Sequence, residues 1–463
     1  MTDKLWRPQK LNLDKPLYIA IADALEEDIQ SGILKPGYKL PPQRELAELI
    51  GVNLSTLTRA FRECELRGLV TGTVGRGTYI AADVNLSTDL VRSEETNSNL
   101  LEMGLVLPLY CLDTNTTLEV HSLIQTIDLA SLLRYTEPNG LLSHREAGSA
   151  WLNHFGLQTT PRDILITSGS QNALACCLIS LFNSGDRIAV EALTYPGIKN
   201  LAAMLGIRLV PVEMDAEGII PDALANACRR DNIRGIFLMP EVQNPTTVAI
   251  PEHRREQIAS LIKQHDLILI EDESYGYTGE LKQIALSALV PNHGIYISGI
   301  SKLLGAGFRI SYVAVPSRFR NQLERAVLNT VWMSSPINAE IVSKLLISGK
   351  GDLIMQAKRE EARLRTEIAL EKLAPYTVFS RTHGLFLWMH LPDGWTGREF
   401  ELSARAAGVK VFCAEKFMVG NGRIPPAVRI SLTGPETKDD LIGGLAILKN
   451  ILSNNSRETE MIF

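Results

Sequence analysis

Apolar residues near the start of the chain fall at Leu17, Ile21, Leu25 and Ile29, the spacing of one buried helix face. Ser31-Gly32 ends that helix, and Lys35-Pro36-Gly37 carries turn chemistry. Pro41 and Pro42 lead into a second helix that starts near Gln43, turns Leu46, Ala47 and Ile50 inward and closes at Gly51. The pattern predicts a third helix over about Ser55 to Arg67, burying Leu57, Phe61 and Cys64 or Leu66, with Gly68 as its stop. The stretch LVTGTVGRGTYI then alternates apolar and polar positions around Gly72, Gly75 and Gly77, as a short hairpin does. Residues 14–82 therefore read as one compact unit.

Residues 83–103 are mostly polar and aperiodic, the composition of a linker. From 104 onward the pattern changes. Short apolar runs (DILITSGS, RIAVEALT, RGIFLMPE, LILIEDES, GIYISGIS and RISYVAVP) alternate with amphipathic stretches. That alternation predicts an α/β domain with a mostly parallel sheet. From about 350 to 455 the chain reads as a smaller α+β unit, with strands at HGLFLWMHL and AVRISL.

Composition narrows the function classes. The formal net charge is −5, and residues 1–80 carry 11 Lys/Arg against 10 Asp/Glu, so charge alone gives no sign of nucleic acid binding. The six cysteines are scattered without a CxxC or a ligand-like His/Cys cluster; the expectation is a reduced, cytoplasmic protein with no metal. The opening MTDKLWRPQK has no apolar segment of a signal peptide, and apolar runs stop at about ten residues, well short of a membrane span.

The N-terminal pattern of helix, turn, helix and glycine-rich hairpin has the parts of a winged helix-turn-helix. Ser55, Thr56, Thr58, Arg59 and Arg62 occupy the outward positions of its third helix, where short hydroxyls and guanidiniums suit base edges and phosphates. Thr73 and Arg76 lie on the hairpin, and Arg44 lies at the start of the second helix. On pattern alone a small protein-binding module stays open.

The larger unit disperses the parts of a pyridoxal 5'-phosphate (PLP) site along the chain: an amine, an anion for the pyridine nitrogen, donors for the phenolate and phosphate, and a stacking ring. Lys302 follows a strand in Ser298-Gly299-Ile300-Ser301-Lys302, and Arg309 lies seven residues on. Asp272 ends the strand of LILIEDES, where ligands of open α/β sheets bind, and Tyr275 follows. Asn244 sits after another strand, Ser170 and Gln171 open a helix, and Tyr195 lies in a turn. Taken singly, each is a surface charge, a turn or a helix cap; the set carries the reading.

Residues 16–80 resemble a GntR-type DNA-binding domain from end to end, with the family's contact positions at Arg44, Thr56, Thr58 and Arg59 and its wing glycine at Gly77. Leu54 stands where many relatives carry arginine. Residues from about 105 to 455 resemble a fold type I aminotransferase. The resemblance implies that Lys302 is the Schiff-base lysine, Asp272 the pyridine-nitrogen partner, and Tyr275 and Asn244 the phenolate partners. It makes Tyr195 the stacking ring, gives the phosphate to Ser170, Gln171 and Arg309, and gives a substrate α-carboxylate to Arg429. Gly299 departs from the usual serine or threonine, with Ser298 or Ser301 expected to compensate, and Thr247 departs from a usual glycine. The fusion resembles the MocR subfamily of bacterial transcription regulators. That implies a homodimer on a double-stranded DNA operator, sensing PLP or an amino compound that forms an aldimine with it. The competing expectation is a working amino-acid aminotransferase with a vestigial DNA-binding domain.

Overall fold

The computed structural model describes residues 6–8, 11, 15–30, 33–34, 38–66, 69–73, 77–80, 100–279, 283–420, 422 and 425–460. The first unit contains α1 (Leu17–Gln30), α2 (Gln43–Ile50), α3 (Leu54–Leu66), β1 (Val70–Thr73) and β2 (Gly77–Ile80). Ile21, Leu25, Ile29, Leu46, Leu57, Phe61 and Cys64 are buried together, as their helical spacing predicts. Gly51 ends α2 at φ +68°, a left-handed conformation that costs glycine little. β1 and β2 pair antiparallel, from Val70↔Ile80 to Thr73↔Gly77.

The core of this unit begins earlier than position 14. Trp6 is buried in it, and its indole N–H donates to Asp28 Oδ2 at 2.7 Å. Ser31, Gly32, Lys35–Gly37, Arg67, Gly68, Gly75, Arg76 and linker residues 83–99 lie outside the described residues. The last residues of the expected linker are structured: β3 (Leu101–Glu102) is a strand, and Met103 is fully buried.

The large α/β domain follows. Its strands are β4 (Ile164–Thr167), β5 (Arg187–Glu191), β6 (Arg208–Val212), β7 (Ile233–Leu238), β8 (Ile268–Asp272), β9 (Gly294–Gly299) and β10 (Ser311–Ala314). They form one seven-stranded sheet in the order β4-β10-β9-β8-β7-β5-β6. β10 runs antiparallel to both neighbours, and the other pairings are parallel. Helices cover both faces of the sheet, so β4, β8 and β10 are buried along their length; that is why their sequences are nearly continuous apolar runs. Two helices matter below: α4 (Ser170–Leu181) and α5 (Pro196–Met204).

The small domain holds α6 (Lys350–Leu373), β11 (Val378–Phe379), β12 (Phe386–His390), β13 (Val409–Lys410), β14 (Phe412–Cys413), β15 (Ala427–Ser431) and α7 (Lys438–Glu460). Its main sheet has the order β11-β12-β15-β14. β3 joins this domain by pairing in parallel with β13, Leu101 opposite Val409 and Glu102 opposite Lys410.

Candidate functional site

Because the strands other than β10 share one direction, their carboxyl ends open on the same side of the sheet, where ligands of such folds bind. Ser170 starts α4 just beyond β4, Tyr195 precedes α5 beyond β5, Asn244 follows β7, Asp272 ends β8 and Lys302 follows β9. Arg309 precedes β10, which begins at this end because it is reversed. With Tyr275, Gln171, Ser301 and Arg429 of β15, they line a single cleft of about 440 Å³, within the range of small-molecule sites. Lys302, Arg309 and Arg429 give it three cationic groups against the one carboxylate of Asp272 among its described lining residues, a balance suited to anionic ligands.

Lys302 Nζ donates to the carbonyl of Val106, and the Tyr277 hydroxyl donates to the Lys302 carbonyl at 3.1 Å. Burial, reinforced by Arg429 and Arg309, lowers the Lys302 pKa from 10.5 to about 8. Asp272 Oδ1 accepts from the Ser274 hydroxyl at 2.6 Å and from its N–H at 3.1 Å. Burial raises this carboxyl to about 6, with the Ser274 donors opposing the rise. Tyr275 packs edge-on against Phe386 at 5.3 Å, and burial pushes its phenol up.

The Tyr195 hydroxyl donates to Gln171 Oε1 at 3.2 Å, and Gln171 Nε2 donates to the Gly197 carbonyl at 3.3 Å. Burial first, then the Asp272 charge, raises Tyr195 to about 12. Arg309 sits at φ +48° and donates to Ser301 Oγ at 3.0 Å and to the Ser168 carbonyl at 3.4 Å. Gly169, at φ +85°, gives it room, since a Cβ there would collide with the guanidinium. Arg429 is buried among Phe417, Phe386 and Phe412, with its guanidinium 4.8, 5.5 and 5.5 Å from the ring centres. It donates to Asn244 Oδ1 and to the Gly104 carbonyl, each at 2.6 Å. Its buried Nε–H has no partner among the described residues, and burial lowers its pKa to about 10.

One expected site residue lies elsewhere. Ser298 does not compensate for Gly299: its hydroxyl accepts from the Trp151 indole at 3.0 Å and is absent from the cleft lining. Successive strand residues face opposite sides, so with Gly299 at the cleft Ser298 turns to the other face of β9. The chain's chemistry also uses groups that the sequence reading passed over, namely Ser274 and the carbonyls of Gly104 and Val106. Thr247, at the position where relatives usually carry glycine, takes φ +65°.

In the N-terminal unit, Arg44, Ser55, Thr58, Arg59 and Arg62 are exposed and Thr56 is half-buried. Thr58 Oγ1 donates to Gln43 Oε1 at 3.0 Å, and the Arg59 guanidinium lies 4.3 Å from the Tyr18 ring centre, a cation–π contact across α1. Gly77 takes φ +111° beside Lys39, and Leu54 is exposed at the start of α3.

The reversed-strand sheet, the small domain and the cleft between them define the class: a fold type I aminotransferase-like protein, whose cofactor is PLP. Residues 109–443 match the family "Aminotransferase class I and II", and residues 17–80 match "Bacterial regulatory proteins, gntR family". The uncharacterized HTH-type transcriptional regulator YdeF of Bacillus subtilis (strain 168) is 35% identical over 449 residues, 97% of each chain. The HTH-type pyridoxine biosynthesis transcriptional regulator PdxR of Corynebacterium glutamicum is 25% identical over 67% of this chain and 69% of its own. The crystal structure of LysN, the α-aminoadipate aminotransferase of Thermus thermophilus, superposes with a TM-score of 0.69 at 23% identity, over 77% of this chain and 92% of that one. The chain belongs to the aminotransferase class I and II family, in its MocR-type branch of GntR transcription regulators. Among the described residues no helix is long and apolar enough to cross a membrane.

Proposed function

We propose that this protein is a PLP-dependent regulator that binds a DNA operator and senses PLP, or an amino compound that joins to it, with Lys302 as the covalent handle. Bound PLP supplies an electrophilic carbon and an electron-withdrawing ring. The residues suit that group. Lys302 offers an amine that burial keeps partly neutral, and Asp272 offers a carboxylate to the ring nitrogen. Tyr275 and Asn244 serve the phenolate oxygen and Tyr195 the ring face. Ser170, Gln171, Ser301 and Arg309 serve the phosphate. Arg429, with a buried N–H to spare, receives an effector carboxylate.

One observation carries the sensor reading. Lys302 is tied to the Val106 carbonyl and Arg429 to the Gly104 carbonyl, so two of the cleft's three cations hold the segment that follows β3 and the 83–99 stretch. A ligand that engages Lys302 takes its donor from Val106, and one that engages Arg429 competes with Gly104. The segment thereby has different contacts with and without ligand, which is what a coupling free energy between cofactor site and DNA reader requires. Arg44, Ser55, Thr56, Thr58, Arg59, Arg76 and Gly77 form the reader's DNA face in this proposal.

Large apolar side chains left exposed on the aminotransferase-like unit, Leu118 (65%), Leu133 (74%), Tyr135 (82%) and Trp332 (57%), support a homodimer, which presents two readers to paired half-sites. A cytoplasmic location follows from an operator as partner. The test is fluorescence anisotropy on DNA from upstream of the gene, with and without PLP and a panel of amines, using wild type and Lys302→Ala. Ligand-dependent affinity that is lost in Lys302→Ala is expected; equal affinity under every condition sinks the sensor reading. The lowered Lys302 pKa also favours a second reading, amino-group transfer, tested by steady turnover of an amino donor with a keto acceptor.

A further inference from the structure

We infer that Ser274 is a positioning residue for the cofactor's ring-nitrogen partner, and that Gly299 is the glycine that makes room for it. The inference rests on Asp272 serving the ring nitrogen. β8 delivers Asp272 to the floor of the cleft, and the chain turns at once. The turn aims both the N–H and the O–H of Ser274 at one carboxylate oxygen, Oδ1, at 3.1 and 2.6 Å. With Oδ1 held by two donors of one residue, the carboxylate's orientation is constrained, and its side chain lines the cleft.

The Ser274 hydroxyl has a further neighbour. Ser170 Oγ, at the start of α4, lies 3.0 Å from Ser274 Oγ. Ser274 has a single hydroxyl proton, and the shorter, charge-assisted contact to Asp272 takes the larger share of it. Ser274 is the donor in the second contact as well, so its hydroxyl faces both Asp272 Oδ1 and Ser170 Oγ. The result is a chain of contacts centred on Ser274 that links the helix terminus assigned to the phosphate with the carboxylate assigned to the ring.

Gly299 is tied to this chain by space. A Cβ at 299 would collide with Ser170 Oγ and stand 3.0 Å from Ser274 Oγ. A side chain at 299 and the Ser170–Ser274 pair therefore exclude each other in this arrangement. The space that a side chain at 299 would fill is here occupied by the Ser170 and Ser274 hydroxyls.

The experiment is PLP binding to the full-length apoprotein, followed by visible absorbance and fluorescence across pH, for wild type, Ser274→Ala, Ser274→Thr, Gly299→Ala and Asp272→Asn. The carboxylate must be ionised to pair with a protonated ring nitrogen, so wild-type affinity falls as pH drops through the Asp272 pKa of about 6. Ser274→Ala removes a donor to the ionised form. It is expected to weaken binding at neutral pH about tenfold and to move the acid limb up by about one pH unit, the size of one charge-assisted hydrogen bond. Ser274→Thr, which keeps the hydroxyl, restores both, and Gly299→Ala reproduces the Ser274→Ala profile. An acid limb that stays in place in Ser274→Ala overturns the inference, whether or not affinity falls. Asp272→Asn separates the two layers. If it binds with the wild-type affinity and pH profile, the assignment of Asp272 itself fails. If it loses affinity while Ser274→Ala does not, only the present inference fails.

Discussion

Burial beside two guanidiniums gives Lys302 a chemistry that an exposed lysine lacks. The attacking species is the neutral amine, and a pKa lowered from 10.5 to about 8 makes that form roughly 300-fold more abundant at neutral pH. The rate of PLP capture, followed by stopped-flow absorbance, is therefore expected to rise with pH up to about 8 and then level off; a rate still climbing near the ordinary lysine value of 10.5 would contradict the shift. Lys302 and Asp272 were legible in the sequence because each sits at the end of an apolar strand, and strand ends are where such sheets bind ligands. Ser298 and Ser274 were not. Which serine faces the cleft depends on the pleat of β9 and on the turn after β8, and neither is fixed by the identity of the residue.

At the scale of elements, the two domains are latched beside the cleft. Lys199 of α5 donates to the carbonyls of Lys416 and Met418, at 3.2 and 2.7 Å. The Thr194 N–H donates to the Phe417 carbonyl at 2.8 Å, and the Val419 N–H donates to the Ala192 carbonyl at 2.9 Å. Lys199→Met strips a donor from two carbonyls and is expected to cost about 2 kcal/mol in denaturant titration, with faster amide exchange at residues 416–419. In the reader, Trp6→Ala removes a buried indole and its bond to Asp28, so the unit's thermal transition is expected to drop by the equivalent of about 3 kcal/mol. Helices α1 to α3 and every strand of the large sheet but β6 followed from local pattern, whereas β6, Arg208–Val212, was not singled out. Trp6 joins its core across 22 positions and β3 finds β13 across some three hundred, distances at which pattern carries no signal.

For the whole molecule, linkage gives a quantitative check on the sensor reading. If a ligand changes operator affinity by some factor, the operator must change the ligand's affinity by the same factor. Titrating PLP into protein with and without operator, and operator into protein with and without PLP, is expected to return equal ratios. Unequal ratios would mean that a further equilibrium, such as self-association of the protein, enters the cycle. The pairing of β3 with β13 also decides how the molecule can be dissected. A PLP-domain fragment begun at residue 104 would discard Leu101, Glu102 and the buried Met103, leaving Val409 and Lys410 with an open strand edge and a hole behind them. Chimaeras that graft a different DNA reader onto the PLP domain should therefore be spliced upstream of residue 100, because β3 already belongs to the domain that carries Arg429.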